Sequence, residues 1–403
     1  MRVLRIVLPI MLISTVLTAF GGGCAKQKPF TGGNLSREKL AEAVAAAGFN
    51  VRRMEADIPK SIRPNYPWRT FAYDDSLLTE LRRTYNLEGI TTEADTEWQA
   101  QLLLKGWVHS KITNGTPTVS ADHALDILRH SAEGKKFWCT YFAITYVEAA
   151  LASGWQARKV ILDHYHGPEG MTSQHHGAAE VWSNQFRKWI FIDPQSNLHF
   201  EKEGTPLSAW EIRGEWLRNG GVDVDHVVGV PPNTKRQNPA IVWWKLPEED
   251  ETALFFWLGF YDNYATWEED SPSKWLFPQD SAHVGKVWYQ NNSQTKQGRP
   301  HAGYRNKLFL PTGKIDDVYW TVGIVEGTIT EAKAGRVVLS LDSYCPDLEA
   351  YEASFDDGER WRRVSNSQRV TWQLDKGKNS LALRTRNRAG VTGPETSVRL
   401  YLN

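Results

Sequence analysis

Residues 135–150 read KKFWCTYFAITYVEAA and place Cys139, one of only three cysteines, at the head of an apolar run. Apolar side chains recur there at steps of three or four residues, and Gly154 follows as a helix stop. The stretch therefore predicts a helix with Cys139 in its first turn. Unpaired N–H groups at a helix N-terminus lower the pKa of a thiol and favour the nucleophilic thiolate. Cys139 is thus either a nucleophile or, as lone cysteines often are, a buried packing residue.

Two side chains downstream supply what an activated thiol needs, a base and an orienting carboxylate. The strand pattern HHGAAEVW contains His176, and the strand pattern WIFIDP contains Asp193, with a predicted turn near Asn184 to Arg187 between them. Alternating side chains of two adjacent antiparallel strands bring His176 and Asp193 side by side. Because Asp193 precedes Pro194, the alternative is that it only forms a turn.

The order of these elements resembles the core of the transglutaminase-like superfamily over roughly residues 95–200. The shared features are a cysteine on a helix, a strand in which Glu and Val follow His by four and five residues, and a strand ending in Asp-Pro. The resemblance implies that Cys139 is the nucleophile, His176 the base and Asp193 the orienting carboxylate. It also implies that Trp107, on a preceding helix, is a candidate oxyanion donor, with core packing as the alternative. The implied fold class is α+β, a papain-like core of helices packed on an antiparallel sheet.

The resemblance implies acyl transfer through a thioester on the cysteine. Water as the acceptor gives hydrolysis, as in a cysteine protease or amidase, and an amine gives cross-linking. We expect hydrolysis because water is always the abundant acceptor. A peptide- or glycan-binding protein without turnover is the third possibility. The chain departs from the family at Gly177 and Ala178, where a small residue is often followed by an aromatic one, and this leaves the substrate preference open.

The first 24 residues have the pattern of a bacterial lipoprotein signal. Two arginines precede an apolar run that ends in GGGC at Cys24, although Gly21 stands where an aliphatic residue is usual. We predict a signal peptide over residues 1–24, lipid on Cys24, and a polar tether over residues 25–34. The protein is then exported and anchored to a membrane of the bacterial cell envelope, in the periplasm or at the cell surface. An ordinary cleaved signal is the alternative.

Changes in residue pattern divide the rest of the chain. Residues 35–235 are the predicted catalytic domain, and residues 236–317 are a tryptophan-rich connecting region. Residues 318–403 contain seven short alternating runs, beginning at Val318 to Val325, and resemble an immunoglobulin-like or fibronectin type III β-sandwich. Within the catalytic domain, the helix predicted over Thr96 to Lys111 turns one set of side chains to the same side: Trp98, Leu102, Leu103 and Trp107.

Composition restricts the class of partner. Lys plus Arg and Asp plus Glu are 47 each, so the zero formal charge gives no basis for binding nucleic acid. We expect a protein or peptide substrate, with a cell-wall peptide or a glycan as further candidates, and contact with the membrane through the lipid anchor. His164 and His166 lie near His175 and His176 in sequence, but no spacing here matches a familiar zinc motif. We therefore predict neither a catalytic metal nor a cofactor.

Overall fold

A computed structural model describes residues 30–66, 68–163, 175–237, 257–261, 273–278, 307–365 and 367–403. The predicted signal peptide, Cys24 and part of the predicted tether lie outside these residues, as does most of the tryptophan-rich region. No helix within the described ranges is long and apolar enough to cross a bilayer.

Three elements open the described chain: strand β1 (Gly33–Asn34), helix α1 (Arg37–Ala46) and strand β2 (Val51–Asp57). Ser36 caps α1, because its Oγ accepts the N–H of Lys39 at 3.1 Å. The strand partners of β1 and β2 come from the C-terminal part of the chain.

The next helices share one apolar core. Their bounds, with those of two short strands that pair in parallel, are α2 (Ser76–Thr84), α3 (Leu87–Thr91), α4 (Glu97–Lys111), β3 (Thr113–Asn114), α5 (Ala124–Ala132), β4 (Lys136–Phe137) and α6 (Cys139–Ala152). Helix α6 is central, because α2, α4 and α5 all pack on it and its residues from Tyr141 to Ala152 are buried. A helix that is apolar all round is stable only when neighbours cover it.

The buried face of α4 differs from the predicted one. The prediction turned Trp98 and Trp107 inward with the two leucines between them, but both tryptophans are only partly buried. The fully buried side chains of α4 include two polar residues, Gln101 and Lys105. Both donate hydrogen bonds to backbone carbonyls, which compensates the burial of their donor groups. A pattern of apolar residues does not predict the burial of polar side chains that form such hydrogen bonds.

The described strands between α6 and residue 312 form two sheets. Strands β5 (Ala157–Asp163), β6 (His175–Ser183) and β7 (Lys188–Ile192) pair antiparallel in that order. A separate sheet with the order β11-β10-β8-β9 contains β8 (Leu198–Lys202), β9 (Thr205–Pro206), β10 (Asp225–Val228) and β11 (Lys235–Gln237). Helix α7 (Ala209–Asn219) lies between β9 and β10 in the chain. The central sheet, β14-β13-β12-β5-β6-β7, is completed by β12 (Trp257–Tyr261), β13 (Ser273–Pro278) and β14 (Lys307–Thr312).

A buried ion pair joins β5 and β6 to later parts of the chain. Arg158 donates from Nε and Nη2 to Glu180 Oε2 at 3.0 and 2.7 Å. Glu180 Oε1 accepts the N–H of Ala209, at the start of α7, and the hydroxyl of Tyr319, both at 2.8 Å. Because both charges are buried, removing either one would leave its partner uncompensated. The pair therefore fixes β6, which is the strand that carries His176.

The sequence predicted a strand over Val318 to Val325, and the structure has none there. The segment follows a short 3-10 helix (Ile315–Asp317), and Val318, Trp320 and Val322 pack into the core beside β7. Trp189 of β7 donates its indole N–H to the Trp320 carbonyl at 2.7 Å. Val318, Trp320 and Val322 alternate along the sequence as in a strand, but they pack on the central sheet instead of pairing with a strand.

Seven strands complete the chain: β15 (Glu326–Lys333), β16 (Arg336–Asp342), β17 (Leu348–Ser354), β18 (Arg362–Arg363), β19 (Arg369–Gln373), β20 (Gly377–Asn387) and β21 (Thr396–Leu402). With β1 and β2 they form the sheets β1-β15-β16-β19 and β18-β17-β20-β21-β2, which share one apolar core with α1. We call these elements the C-terminal two-sheet unit. Residues 33–57 belong to it, whereas the sequence had assigned them to the tether and the catalytic domain. The reason is long-range pairing, such as Glu55 with Arg399, which local patterns do not encode.

Candidate active site

Cys139 is the first residue of α6, and Trp138 is its N-cap residue. The Trp138 side chain forms no capping hydrogen bond, so it does not take up the N–H groups of the first turn. Burial raises the pKa of the Cys139 thiol, but its hydrogen bond to His176, the charge of His176 and the N–H of Gly177 outweigh burial. The pKa of Cys139 therefore lies below its ordinary value, and the site favours thiolate.

His176 lies on β6 with its ring buried. Glu180 of β6 pairs with Phe191 of β7, and this register gives His176 and Asp193 the same face of the hairpin. The His176 Nε2 atom is 3.0 Å from Asp193 Oδ2, which leaves Nδ1 for the sulfur of Cys139. Burial lowers the pKa of the imidazole, but the charge and hydrogen bond of Asp193, with that of Cys139, raise it above its ordinary value.

Asp193 follows the last residue of β7 and is fully buried. Its Oδ1 accepts the N–H groups of Gln195 at 2.9 Å and Ser196 at 3.1 Å, and its backbone exchanges hydrogen bonds with Leu198. Burial raises the pKa of the carboxyl, but the charge and hydrogen bond of His176, with Ser196, hold it below its ordinary value. Asp193 does form a turn, the alternative left open by the sequence, and the same turn directs Oδ2 at His176.

Gly177 allows β6 to approach the start of α6. A Cβ atom at this position would lie 2.9 Å from Thr140 Oγ1 and 3.2 Å from Thr140 Cα, so Thr140 would have to shift. The missing side chain lets the Gly177 N–H reach the sulfur of Cys139. Ala178 is fully buried in the core of the central sheet. Of the two positions that depart from the family pattern, Gly177 therefore packs against the first turn of α6, which carries the nucleophile.

The structure thus brings Cys139, His176 and Asp193 together, and it places Trp107 in a packing contact. The Trp107 ring meets the edge of Tyr85, with ring centroids 5.7 Å apart, and is partly buried against the helical core. This is the packing position that the sequence left as the alternative. Its role as an oxyanion donor stays a prediction.

The sequence analysis missed a polar cluster near the turn that contains Asp193. Lys105 of α4 is fully buried, and its Nζ is 3.5 Å from His199 Nδ1. The other ring nitrogen of His199 is 2.9 Å from Glu201, which also pairs with Arg236 at 2.6 Å. Burial lowers the pKa of His199 to about 4, so this ring is neutral near pH 7. The one sequence feature that could have indicated this cluster is the position of Lys105 directly after Leu104, among the apolar residues of a predicted helix.

The described groups are suited to covalent catalysis. A thiolate can attack a carbonyl carbon, the imidazolium can protonate the leaving group, and the carboxylate can hold the ring in one tautomer. Within the described ranges, no group of three His, Cys, Asp or Glu side chains is arranged to hold a metal ion. His164 and His166 lie outside those ranges.

A thiol on a helix beside a His–Asp hairpin is the arrangement of cysteine enzymes that transfer acyl groups. The sequence profile of the Transglutaminase-like superfamily matches residues 86–194, so this segment is a transglutaminase-like domain. The crystal structure of red sea bream transglutaminase is similar at 9% identity over 90% of this chain and 78% of that chain, with a TM-score of 0.24. That likeness is too weak to support an inference about activity. Among curated proteins, no significant sequence match is found.

Proposed function

We propose that this protein is a thiol enzyme that transfers acyl groups through a thioester on Cys139, chiefly by hydrolysing peptide or carboxamide bonds. The observation that carries the proposal is that one buried imidazole contacts both partners. His176 Nε2 lies 3.0 Å from Asp193 Oδ2, and the thiol of Cys139 is hydrogen-bonded to the same ring. A cysteine that only packs needs no buried, charged partners. The profile match over the same residues supports the proposal.

In the first half-reaction, the thiolate attacks the carbonyl carbon of the substrate and a C–S bond forms. The carbonyl electrons move to oxygen, where N–H groups of the first turn of α6 stabilise the oxyanion, with Trp107 as a candidate further donor. His176 then donates its Nδ1 proton to the leaving amine as the C–N bond breaks, and a thioester remains. In the second half-reaction, Nδ1 takes a proton from water, which attacks the thioester. The acid leaves and the thiolate–imidazolium pair returns.

Hydrolysis and cross-linking share the first half-reaction and differ in the acceptor of the second. We favour hydrolysis of a protein or peptide, cell-wall peptides included, because water is the abundant acceptor. Cross-linking is the second candidate, and peptide or glycan binding without turnover is the third. Trp138 is 46% exposed next to the nucleophile and offers an apolar contact for a substrate side chain.

The thioester is the intermediate that tests this function. An activated acyl donor, such as a p-nitrophenyl ester, is expected to release nitrophenol and leave its acyl group on Cys139. Acid quenching followed by peptide mass spectrometry should find the added mass on the peptide that contains Cys139, and neutral hydroxylamine should remove it. When a primary amine is present, the ratio of free acid to amide product separates hydrolysis from cross-linking, and we expect mainly acid.

Two variants make the thioester experiment specific. Cys139→Ala should lose the acylated peptide entirely, whereas Cys345→Ala should retain it, since Cys345 is distant in sequence and lies in the C-terminal two-sheet unit. Equal acylation of both thiols, or none in the unaltered protein, would contradict the proposed reaction and leave the binding protein as the better candidate.

We also propose that the protein is an exported lipoprotein and that the C-terminal two-sheet unit is an immunoglobulin-like or fibronectin type III-like module. The first residue of β1, Gly33, follows Cys24 by nine positions (33 minus 24). Nine extended residues span at most about 30 Å. Because β1 lies at the edge of a sheet in this unit, a lipid on Cys24 would hold the module close to the membrane surface.

The anchor has a direct test. Expressed with its own signal in a bacterial host, the protein is expected to fractionate with membranes, and Cys24→Ser should release it because the acyl acceptor is gone. Cys345→Ser serves as the matched control and should remain in the membrane fraction. Recovery of the unaltered protein as a soluble species with an N-terminus beyond Cys24 would exclude lipidation.

A further inference from the structure

Lys105 is a fully buried lysine with unusual partners. Its ammonium group lies between two backbone segments and donates to the carbonyl of Asn197 at 3.1 Å and to that of Gly229 at 2.9 Å. The third polar neighbour is the neutral imidazole of His199 at 3.5 Å. The hydrogen bonds of this charged group in the described chain therefore go to neutral acceptors.

One of these carbonyls belongs to the turn that presents Asp193. Asp193 and Leu198 exchange backbone hydrogen bonds at 2.9 Å and close the turn, and Asn197 precedes Leu198 with a left-handed φ of 52°. The Asn197 carbonyl also accepts the N–H of Gly229 at 2.8 Å. Lys105 is thus one of two α4 side chains that contact the turn orienting the carboxylate of Asp193; the other is His109, whose Nδ1 lies 2.9 Å from the Gln195 carbonyl.

The buried charge of Lys105 also requires compensation. A buried ammonium group is unfavourable unless a nearby negative charge compensates it, and an apolar side chain would fill the same space more favourably. Burial lowers the pKa of Lys105 to about 7, and the charges of Asp193 and Glu201 act in the opposite direction. A thiolate, an imidazolium and the Asp193 carboxylate together carry one net negative charge, and Lys105, when protonated, supplies a positive charge that interacts with Asp193.

We propose that Lys105 is a positioning residue for Cys139, His176 and Asp193, and that its ammonium group holds the Asp193 turn in place and keeps the Asp193 carboxylate ionised. This inference rests on the proposed function, because it concerns the same thiol. The charged and titratable groups around Lys105 are Asp193 in the turn, His199 and Glu201 on β8, Arg236 of β11, which pairs with Glu201, and His109 one turn later on α4. When the Lys105 charge is removed, Asp193 ionises less readily, so it supports the imidazolium less and the thiolate forms at a higher pH.

The test measures the pH dependence of alkylation at Cys139 between pH 4 and pH 9 in the full-length protein. Lys105→Met keeps the length of the side chain and removes its charge and donors. We expect the profile of the folded variant to shift by about one pH unit to higher pH, which is about tenfold slower labelling over the range in which the rate still rises with pH. Thermal unfolding of each variant shows whether the chain is folded.

Gln101→Met is the matched control, because Gln101 lies one turn earlier on α4, is also fully buried and donates to the Trp182 carbonyl at 3.0 Å. It should lower the unfolding temperature and leave the labelling profile in place. An equal shift in both variants would mean that α4 packing alone sets the profile, and would overturn the role of Lys105.

Lys105→Gln keeps an N–H donor without the charge and replaces the methionine variant if that one does not fold. A folded variant of either kind with the wild-type profile overturns the inference while the proposed function stands. Slow labelling of Cys139 in the wild-type protein has a different meaning, because it contradicts the proposed function itself and the role of Lys105 falls with it.

Discussion

At pH 6, iodoacetamide is expected to modify Cys139 at least about a hundredfold faster than Cys345. The thiolate is the reacting species, so each rate follows the fraction of thiolate. Hydrogen bonding to His176 and the charge of His176 hold the pKa of Cys139 below its ordinary value, despite the burial that raises it. Labelling of Cys139 at pH 6 should therefore be faster than that of an ordinary thiol and should stop rising once the pH exceeds this lowered pKa.

Cys345 provides the internal comparison. Burial raises its pKa to about 11, and the charge of Asp347 acts in the same direction. Roughly one Cys345 thiol in 10⁵ is then ionised at pH 6, and its labelling should rise about tenfold with each pH unit up to strongly alkaline solution. Both side chains are partly buried, so a difference in rate reports thiolate formation more than access.

A time course of peptide mass shifts on the folded protein measures both rates in one sample. His176→Ala removes the cationic partner and leaves the Gly177 N–H to oppose the effect of burial, so it should slow the labelling of Cys139 and leave that of Cys345 unchanged. If the two cysteines of the unaltered protein react equally slowly, Cys139 returns to the packing role and the binding protein becomes the better hypothesis.

The site could be placed from the sequence because its signals are local. The position of Cys139 follows from a helical period that ends at Gly154, and the facing of His176 and Asp193 follows from alternation along two strands joined by a short turn. Each signal is local, because Cys139 to Gly154 spans 15 positions (154 minus 139) and His176 to Asp193 spans 17 (193 minus 176). The structure begins α6 at Cys139 itself and gives the β6–β7 hairpin the register that alternation requires.

The features that the sequence did not reveal depend on contacts between distant segments. A charged residue such as Lys105 is usually exposed, and its burial here follows from contacts with distant segments, among them the carbonyls of Asn197 and Gly229. Strand β2 pairs with β21 at the opposite end of the chain, and residues 318–325 alternate like a strand but pack beside β7. Local periodicity reports that a residue is buried, and it does not report which segment buries it.

Asp193→Asn is expected to lower turnover by at least about a hundredfold while the chain stays folded; the equivalent change in a serine protease lowers turnover about 10⁴-fold. Oδ1 of Asp193 accepts two backbone N–H groups, from Gln195 and Ser196, so the oxygen of asparagine must occupy that position. The amide NH₂ then takes the place of Oδ2 and faces His176 Nε2 as a donor. The ring must leave Nε2 unprotonated and carry its proton on Nδ1, where it cannot accept one from Cys139.

Glu148→Gln is the matched control, because Glu148 is also buried, accepts the N–H of Ala124 at 2.9 Å and lies 3.1 Å from His123 Nδ1. It changes a buried carboxyl–imidazole pair between α6 and the N-cap residue of α5, outside the site. We expect both substitutions to lower the free energy of unfolding, and only Asp193→Asn to lower turnover.

Rotating the amide of the Asp193→Asn variant by 180° would restore an oxygen to His176, but it would turn the NH₂ group towards the N–H donors of Gln195 and Ser196. Unchanged turnover in the folded Asp193→Asn protein would therefore mean that the imidazole needs no acceptor at Nε2. The role of Asp193 would then be limited to forming the turn.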